Sequence, residues 1–428
     1  MLIRRIRAAN FRSFDEVDVE LARFSVLIGA NASGKSNFVG IFQFLKDAVK
    51  HGLDNALSMQ GGAEYAANVS IGASKNLEVW VHAAAASPET RGLKFSTERD
   101  GRWISVRASE FSYGFGVELG RKGFTVADEN LVATCDFAVS EDAKADEQRS
   151  AQGRVVLTRD HHDIVYDLQG DDLPLAVEDV VAPSFQGMLR AAVSDTELLV
   201  ETPWLWAAFL PPLSFAMSTF FDGIGVYHFD PRLPKRPAKI TGKTELEPDG
   251  GNLAIAVKRI LSDKAGRDKM YNLFGDLLPI VQGIKITVLP DRSLMASLKE
   301  THSGNKFLPA FLMSDGTMNL AALVVALYFE EKSVVIVEEP ESNIHPSLVS
   351  RVVAMMRDVS ENLGKQVMVT THNPELVRHA GLENLLLIHR DEAGFSRISR
   401  PSEKEHVKVF LEHEMEIEDL YVQNLLER

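Results

Sequence analysis

Eight residues near the start of the chain restrict its fold more than any other feature: Gly29-Ala30-Asn31-Ala32-Ser33-Gly34-Lys35-Ser36, a match to G-x-x-x-x-G-K-[ST]. Glycines let such a loop wrap an anion with its backbone N–H groups turned inward. A helix starting directly after the loop adds the positive end of its dipole to the same site. The flanks fit. Phe24 to Ile28 (FSVLI) is a short, wholly buried-type run of the kind found in parallel strands. Asn37 to Lys50 carries Phe38, Ile41, Phe42, Leu45 and Val49 at helical spacing. Strand, glycine loop and helix in that order predict an α/β fold in which the loop cradles nucleotide phosphates. Lys35 is placed to reach the β- and γ-phosphates, and the Ser36 hydroxyl to ligate Mg²⁺.

Three later motifs bear on the same chemistry. Ser333 to Val337 is an apolar run that delivers Glu338-Glu339-Pro340-Glu341 at its end. The open end of a parallel sheet is where ligands sit, so Glu338 is expected to hold Mg²⁺ and Glu339 to polarise an attacking water. Val367 to Thr371 is a second apolar run ending in His372-Asn373-Pro374, which positions His372 to reach the γ-phosphate. Ser314-Asp315-Gly316-Thr317 precedes an apolar helix, Met318 to Phe329. By itself it reads either as a plain N-cap or as a helix start offering a hydroxyl and free N–H groups to an anion.

The remaining chain is less specific. Between about 75 and 170, short alternating runs separated by polar turns predict a β-rich stretch, and Ser140 to Gly153 reads as a mobile loop. Residues of about 175 to 280 read as mainly helical, with Asn252 to Leu261 and Met270 to Val281 as helices, before strands over 284 to 299. Thr202 to Phe221 is apolar and long enough to span a bilayer. Pro203, Pro211 and Pro212 interrupt it, so a pair of buried or partner-facing helices is expected and no membrane span. Met1 to Arg7 (MLIRRIR) places charges where a secretory signal would be apolar, and a cytoplasmic setting is expected. The single cysteine, Cys135, excludes an internal disulfide and reads as a small buried side chain. A formal net charge of −14 argues against a general basic coat for nucleic acid. Arg4, Arg5, Arg7, Arg12, Arg232, Lys235 and Arg236 form either a local basic surface or scattered solvated charge.

The order glycine loop, S-D-G-T, strand-E-E-P-E, strand-T-T-H-N resembles the ABC-type ATPases of the SMC and RecF-like group, and more narrowly RecF/OLD-like ATP-binding proteins without a Toprim domain. Asn10 to Phe14 (NFRSF) is similar to the group's opening, Gly29 to Asn37 to its GxNxSGKSN loop, Glu341 to Pro346 to its E-x-x-[IL]-H-P segment, and Glu247 to Leu253 to a mid-chain DGxNL element. The resemblance implies ATP and Mg²⁺ as ligands. Gly29, Asn31, Ser33, Gly34, Lys35, Ser36 and Asn37 would hold the nucleotide. Ser314 and Gly316 would cap the ATP of a second copy, with Glu339 as catalytic glutamate and His372 as switch histidine. Gln60 would be the Q-loop glutamine, contributing to the metal site with Ser36 and Glu338. Two departures stand out: Glu338 occupies the place of the usual Asp, and the signature is S-D-G-T in place of the transporter L-S-G-G-Q. The residues after His372, 373 to 428, are too few for a Toprim nuclease domain.

The implied fold is an α/β, ABC-type P-loop head split in sequence. Residues 1–75 form an N-terminal lobe, 76–309 an inserted β-rich and then helical region, and 310–428 a C-terminal lobe. The expected activity is ATP hydrolysis coupled to homodimerisation. Its output is either a DNA-related process such as repair or phage defence, or the holding and release of a separately encoded effector nuclease or toxin.

Overall fold

The computed structural model describes residues 1–85, 93–96, 103–120, 123–140, 149–173, 194–201, 211–412, 416–423 and 425–426. In chain order the elements begin with β1 (Leu2–Phe11), β2 (Phe14–Glu20), β3 (Phe24–Ile28), α1 (Lys35–His51), α2 (Leu53–Met59), α3 (Ala63–Ala66) and β4 (Leu77–Ala84). Next come β5 (Leu93–Ser96), β6 (Trp103–Gly120), β7 (Gly123–Ser140), β8 (Arg149–Asp160), β9 (Asp163–Gln169), α4 (Pro211–Asp222) and β10 (Ile224–Tyr227). The series continues with α5 (Leu253–Ser262), α6 (Lys264–Leu277), β11 (Val281–Val288), β12 (Leu294–Glu300), β13 (Leu308–Pro309), α7 (Asp315–Tyr328) and β14 (Val334–Glu338). It ends with α8 (Pro346–Asn362), β15 (Gln366–Thr371), α9 (Pro374–Ala380), β16 (Leu385–Arg390), β17 (Ser396–Ser399), α10 (Glu405–Glu412) and α11 (Ile417–Val422).

Two compact units divide the chain. One comprises Met1–Leu21, Asn37–Ile224 and Arg390–Arg397, the other Ala22–Ser36, Gly225–His389 and Ile398–Arg428. These limits differ from boundaries at 75/76 and 309/310. The reason lies in strand pairing: β3 is bonded to β15 and β16, so the short segment 22–36 joins the second unit. Helices α5 and α6 and strands β11 and β12 contribute to that unit's core as well.

The first unit is built on an antiparallel sheet in the order β2-β1-β4-β6-β7-β8-β9, with β5 beside β6. Alternation sets its faces: Leu77, Val79, Val81 and Ala83 of β4 point inward and are buried. Helix α1 covers this face through aromatic contacts, Phe14 with Phe38 at 6.3 Å, Phe11 with Phe44 at 5.6 Å and Phe44 with Phe115 at 6.0 Å between ring centroids. Asn10 of the NFRSF segment is fully buried. Its amide donates to the carbonyls of Gly72 (2.9 Å) and Lys75 (2.6 Å) and its carbonyl accepts from the Asn68 N–H (3.1 Å), which fastens the loop before β4. Residues Arg149–Gly153, expected within a mobile loop, are the first half of β8 paired to β7. Small and charged residues hid the strand, because that stretch has no apolar period to read. Residues 141–148 of the same expected loop lie outside the described residues.

Of Thr202–Phe221, residues 202–210 lie outside the described residues, and the rest belongs to α4. Pro211 and Pro212 start this helix instead of interrupting it, since first-turn N–H groups have no intrahelical acceptor to lose. Leu213, Met217, Phe220 and Phe221 are buried, and Phe220 meets Phe111 edge-on at 5.0 Å. No helix among the described residues is long and apolar enough to cross a membrane. Cys135 is fully buried, as expected.

A buried carboxylate fastens another loop of this unit. Glu129 of β7 accepts from the Tyr113 hydroxyl (2.9 Å) and from the N–H groups of Leu199 and Val200. Arg159 of β8 binds the carbonyls of Glu197 (2.7 Å) and Ser194 (3.1 Å) from the same side of the segment. Burial pushes the Glu129 carboxyl up to about 7, against the pull of these donors and of Arg159. An acid whose folded pKa is raised binds its proton more tightly when folded. Its stabilising contribution is therefore complete below the unfolded value of about 4.3 and fades as pH rises through about 7. The expected outcome is that the stability of wild type relative to Glu129→Gln declines between about pH 5 and about pH 8. Urea unfolding at a series of pH values checks it, and parallel curves for the two proteins would refute it.

The second unit carries the glycine loop. Its sheet has the order β10-β14-β15-β3-β16-β17, and β14, β15, β3 and β16 run parallel. β3 and β15 are buried along their whole length, as strands covered on both faces must be. Helix α7 is buried from Thr317 to Leu327 and forms the middle of the core. α8 and α9 each begin with a capping side chain followed by proline, His345-Pro346 and Asn373-Pro374. A separate three-stranded sheet, β11-β12-β13, completes the unit. Val281, expected at a helix end, opens β11, because α6 stops at Leu277. The class is the expected one, a mixed α/β architecture of several sheets in which a parallel sheet bears the glycine loop.

Candidate nucleotide and catalytic site

Strand register brings the motifs together. Glu338 is opposite Thr370, and Thr371 is opposite Ile28, so β14, β15 and β3 end in one row. The next residues along each strand are Glu339, His372 and Gly29. All lie at the carboxyl edge of the parallel sheet, the side on which ligands sit in open α/β sheets.

The loop itself is tightly held. A Cβ on Gly29 would run into the carbonyl oxygen of Ile388 in β16, so only glycine fits there. Ala32 (φ 64) and Gly34 (φ 114) take left-handed conformations that curl the backbone. Ser33 and Gly34 are buried, while Asn31 is exposed at the tip and Asn37 half-buried in the first turn of α1. Lys35 is 8% exposed, and its ammonium donates to the carbonyls of Gly29 (2.8 Å) and Ala30 (3.0 Å). Burial pulls the Lys35 pKa down, and the charges of Glu339, Glu341 and Glu338 oppose that shift. Three carboxylates from the end of β14 thus act on one lysine of the loop.

The Ser36 hydroxyl donates to Glu338 Oε2 at 2.6 Å. The longer arm of glutamate, in the place of the usual aspartate, reaches this hydroxyl directly. A hydroxyl and a carboxylate oxygen side by side are hard donors that suit Mg²⁺, which takes its remaining ligands from water and substrate phosphate. No group of three or more His, Cys, Asp and Glu side chains that could hold a metal ion occurs among the described residues.

Glu339 has φ 47, a strained conformation for a side-chain-bearing residue. Its N–H is bonded to Thr370 O at 2.9 Å, which holds the turn. Its Oε1 lies 3.0 Å from His372 Nδ1, and its Oε2 accepts from Ser342 Oγ at 3.3 Å. Both side chains are partly open to solvent, 32% for Glu339 and 48% for His372. An acid and an imidazole in contact at a strand edge can orient a water and pass its proton.

Ser314 is the N-cap of α7, its Oγ accepting from Thr317 N–H at 3.1 Å and lying 2.8 Å from Thr317 Oγ1. Both of these bonds stay within its own helix start. Gly316 packs on the turn after β14, where a Cβ would strike the Asn343 carbonyl oxygen. Asn319 donates to Ser342 O at 2.6 Å from the same helix. Lys235 is paired with Asp315. Gln60 belongs to the first unit, where its Oε1 accepts from the Arg12 guanidinium. That pairing links residues 48 apart in sequence, and only the arginine of NFRSF hinted at it. Glu341, quoted in sequence only as part of a motif, is 6% exposed and accepts from the Thr371 hydroxyl. Burial pushes its carboxyl up, with Thr371 opposing. Asn252 of the DGxNL element proves to be a loop lock: it accepts from Glu247 N–H (2.8 Å) and donates to Glu245 O (2.7 Å).

Four of the basic residues are paired with acids, Lys235 with Asp315 among them. Arg5 and Arg7 contact Asp18 at 2.6 and 3.3 Å, and Arg232 contacts Asp230 at 2.7 Å. A groove of about 140 Å³ lies on the first unit's sheet, lined by Arg7, Glu78, Trp80, Gly114 and Asp128 among others. None of the residues singled out by the motifs lines it.

Comparison with known proteins agrees with this geometry. Residues 1–89, which hold the glycine loop, match the family model described as "AAA ATPase domain". Residues 194–378, which hold Ser314, Glu338, Glu339 and His372, match that described as "AAA domain, putative AbiEii toxin, Type IV TA system". Two stretches of the chain, one holding the glycine loop and one the later motifs, are thus similar to parts of AAA-type ATPase domains. No curated protein matches it. Similar solved structures include an Smc head bound to the C-winged helix domain of ScpA, with 15% identity over 93% of this chain and 98% of that one and a TM-score of 0.49. The SMC head domain from Thermotoga maritima has 13% identity over 94% and 99%, with a TM-score of 0.42. An Smc head with an extended coiled coil, bound to the C-terminal domain of ScpA and derived from Pyrococcus furiosus, has 14% identity over 97% and 100%, with a TM-score of 0.45. At these scores the functional reading rests on the site and the family models.

The Gly316 contact yields a direct expectation. Gly316→Ala forces the Asn343 carbonyl and the start of α7 apart and lowers stability by about 1–3 kcal/mol, measured by urea unfolding. An unchanged midpoint and slope would show that the turn has room to give.

Proposed function

We propose that this chain binds ATP with Mg²⁺ on the Gly29–Ser36 loop, hydrolyses it, and uses bound ATP to hold two copies together. The observation that carries the reading is the meeting, at one sheet edge, of Ser36 with Glu338 at 2.6 Å and of Glu339 with His372 at 3.0 Å. Lys35 exchanges its loop carbonyls for the β- and γ-phosphates. Gly29, Asn31, Ser33, Gly34 and Asn37 contribute the rest of the cradle. Ser36 and Glu338 hold Mg²⁺, which neutralises phosphate charge when bound. Glu339 orients the attacking water and takes its proton, and His372 keeps Glu339 turned toward it. Positioning and fixed charge of this kind supply most of the rate in phosphoryl transfer.

In this reading Ser314 and Gly316 belong to the ATP of the other copy, where the N–H groups at the start of α7 meet the γ-phosphate. Residues 1–75 and 310–428 act as the two lobes of an ABC-type, RecF/OLD-like head, and Gln60 senses the metal site. Lys35→Ala is expected to abolish ATP binding, measured by fluorescent-nucleotide titration. Glu339→Gln is expected to keep binding while turnover falls by at least about 100-fold. Turnover equal to wild type would remove Glu339 from the mechanism. In the Glu339→Gln background with ATP, light scattering is expected to report a dimer that Ser314→Arg returns to monomer. A dimer that survives Ser314→Arg would remove the shared site.

The pairing of Arg5, Arg7, Arg232 and Lys235 with acids favours an output through a partner protein over broad contact with DNA. A separately encoded effector nuclease or toxin, held or released with the ATP state, fits that charge pattern better than repair by DNA coating. Binding to duplex DNA that weakens steeply with salt would reverse this preference.

A further inference from the structure

Glu341 has no part in the roles assigned above, yet it is the most deeply placed acid of the site. It is 6% exposed, and its Oε2 has no hydrogen-bond partner among the described residues. Its Oε1 accepts from the hydroxyl of Thr371, a residue with no exposed surface. Leaving one carboxylate oxygen buried and unbonded is costly, so the bond made by the other oxygen needs a reason.

The reason lies in what the Thr371 hydroxyl does next. While donating to Glu341, the same oxygen accepts from the Asn373 N–H at 2.9 Å. Asn373 in turn caps α9, its side chain accepting from Glu375 N–H at 2.9 Å. His372 lies between the two tied residues. The backbone on both sides of the imidazole is therefore fastened through one hydroxyl to the turn that follows β14. The other end of that turn is Glu339, whose carboxylate meets His372 Nδ1 at 3.0 Å. Two turns, each carrying one member of the acid–imidazole pair, are joined beneath the pair by Glu341 and Thr371.

We propose that Glu341 is a positioning residue for hydrolysis: through the Thr371 hydroxyl it sets His372 against Glu339, so that turnover depends on the tie and nucleotide affinity does not. This rests on the ATPase reading above. A tie of this kind acts through geometry, and a misplacement of about 1 Å at a reacting group costs up to about 100-fold in rate.

The test uses the full chain and four variants. Thr371→Val removes the hydroxyl at nearly constant volume, and Thr371→Ser restores it. Glu341→Leu removes the acceptor, and Glu341→Gln keeps one. ATP affinity is expected to stay within about twofold of wild type in all four, whereas kcat falls by about 10- to 100-fold in Thr371→Val and Glu341→Leu. Thr371→Ser and Glu341→Gln are expected to retain kcat within about threefold, and the Thr371→Val/Glu341→Leu double variant to be no slower than either single one. A general structural weakening would lower affinity along with kcat and would not be rescued by Ser or Gln. Wild-type kcat in Thr371→Val, or losses that multiply in the double variant, would overturn the proposal. If Glu341→Leu does not fold, the Thr371 pair decides it alone. Absence of turnover in wild type would instead refute the ATPase reading, a result distinct from active wild type with unaffected variants.

Discussion

Parallel pairing of β3 with β15, and of β15 with β14, is the constraint on which the site depends. The first aligns residues 343 positions apart and the second residues 32 apart, and the register decides which backbone groups finish together at the sheet edge. A shift by one residue would turn every side chain of a strand to the opposite face. It would withdraw Glu338 from Ser36 and bury the wrong side of Gln366–Thr371. The buried polar residues at the ends oppose such a shift, because Gln366 and Thr371 would lose their bonds to Ala22 O and Glu341.

Once the strand ends are aligned, short polar ties convert a row of backbone termini into a reactive arrangement. Glu339 adopts a left-handed backbone that ordinarily costs about 1–3 kcal/mol, and the Thr370 carbonyl offsets part of that by holding its N–H. Burial lowers the Lys35 pKa, and the charges of Glu339, Glu341 and Glu338 oppose that shift without cancelling it. The same logic appears in the first unit, where Glu129 is tolerated in the interior because Tyr113 and two backbone N–H groups meet it. In both places a buried or constrained group is kept by partners from distant parts of the chain.

The division between what could and could not be read from sequence follows from this. The glycine loop, Glu338-Glu339 and His372 were legible because each sits at the end of an apolar run, and such runs announce buried strands. The helix start at Ser314 was legible through capping chemistry, whereas the caps at His345 and Asn373 emerge only in the structure. Arg149–Gly153 was not, since a strand of small and charged residues looks like a loop until its partner β7 is known. The proline pair at 211–212 reads in sequence as an interruption, whereas in the structure it opens a helix. Contacts such as Arg12 with Gln60, or Glu341 with Thr371, leave no local trace, because each partner is an ordinary polar residue in its own neighbourhood.

The contact between Gly316 and the Asn343 carbonyl has a mechanical side. Side chains are the compliant layer of a protein: they rotate, and so absorb small displacements between backbones. Here that layer is absent, and main chain rests on main chain. Asn319 holds the same turn by its Ser342 carbonyl, one helical turn further on. A sub-ångström movement of the turn after β14 therefore cannot be taken up locally. It is passed undamped to the first turn of α7, as a stiff lever passes on a push that a spring would swallow.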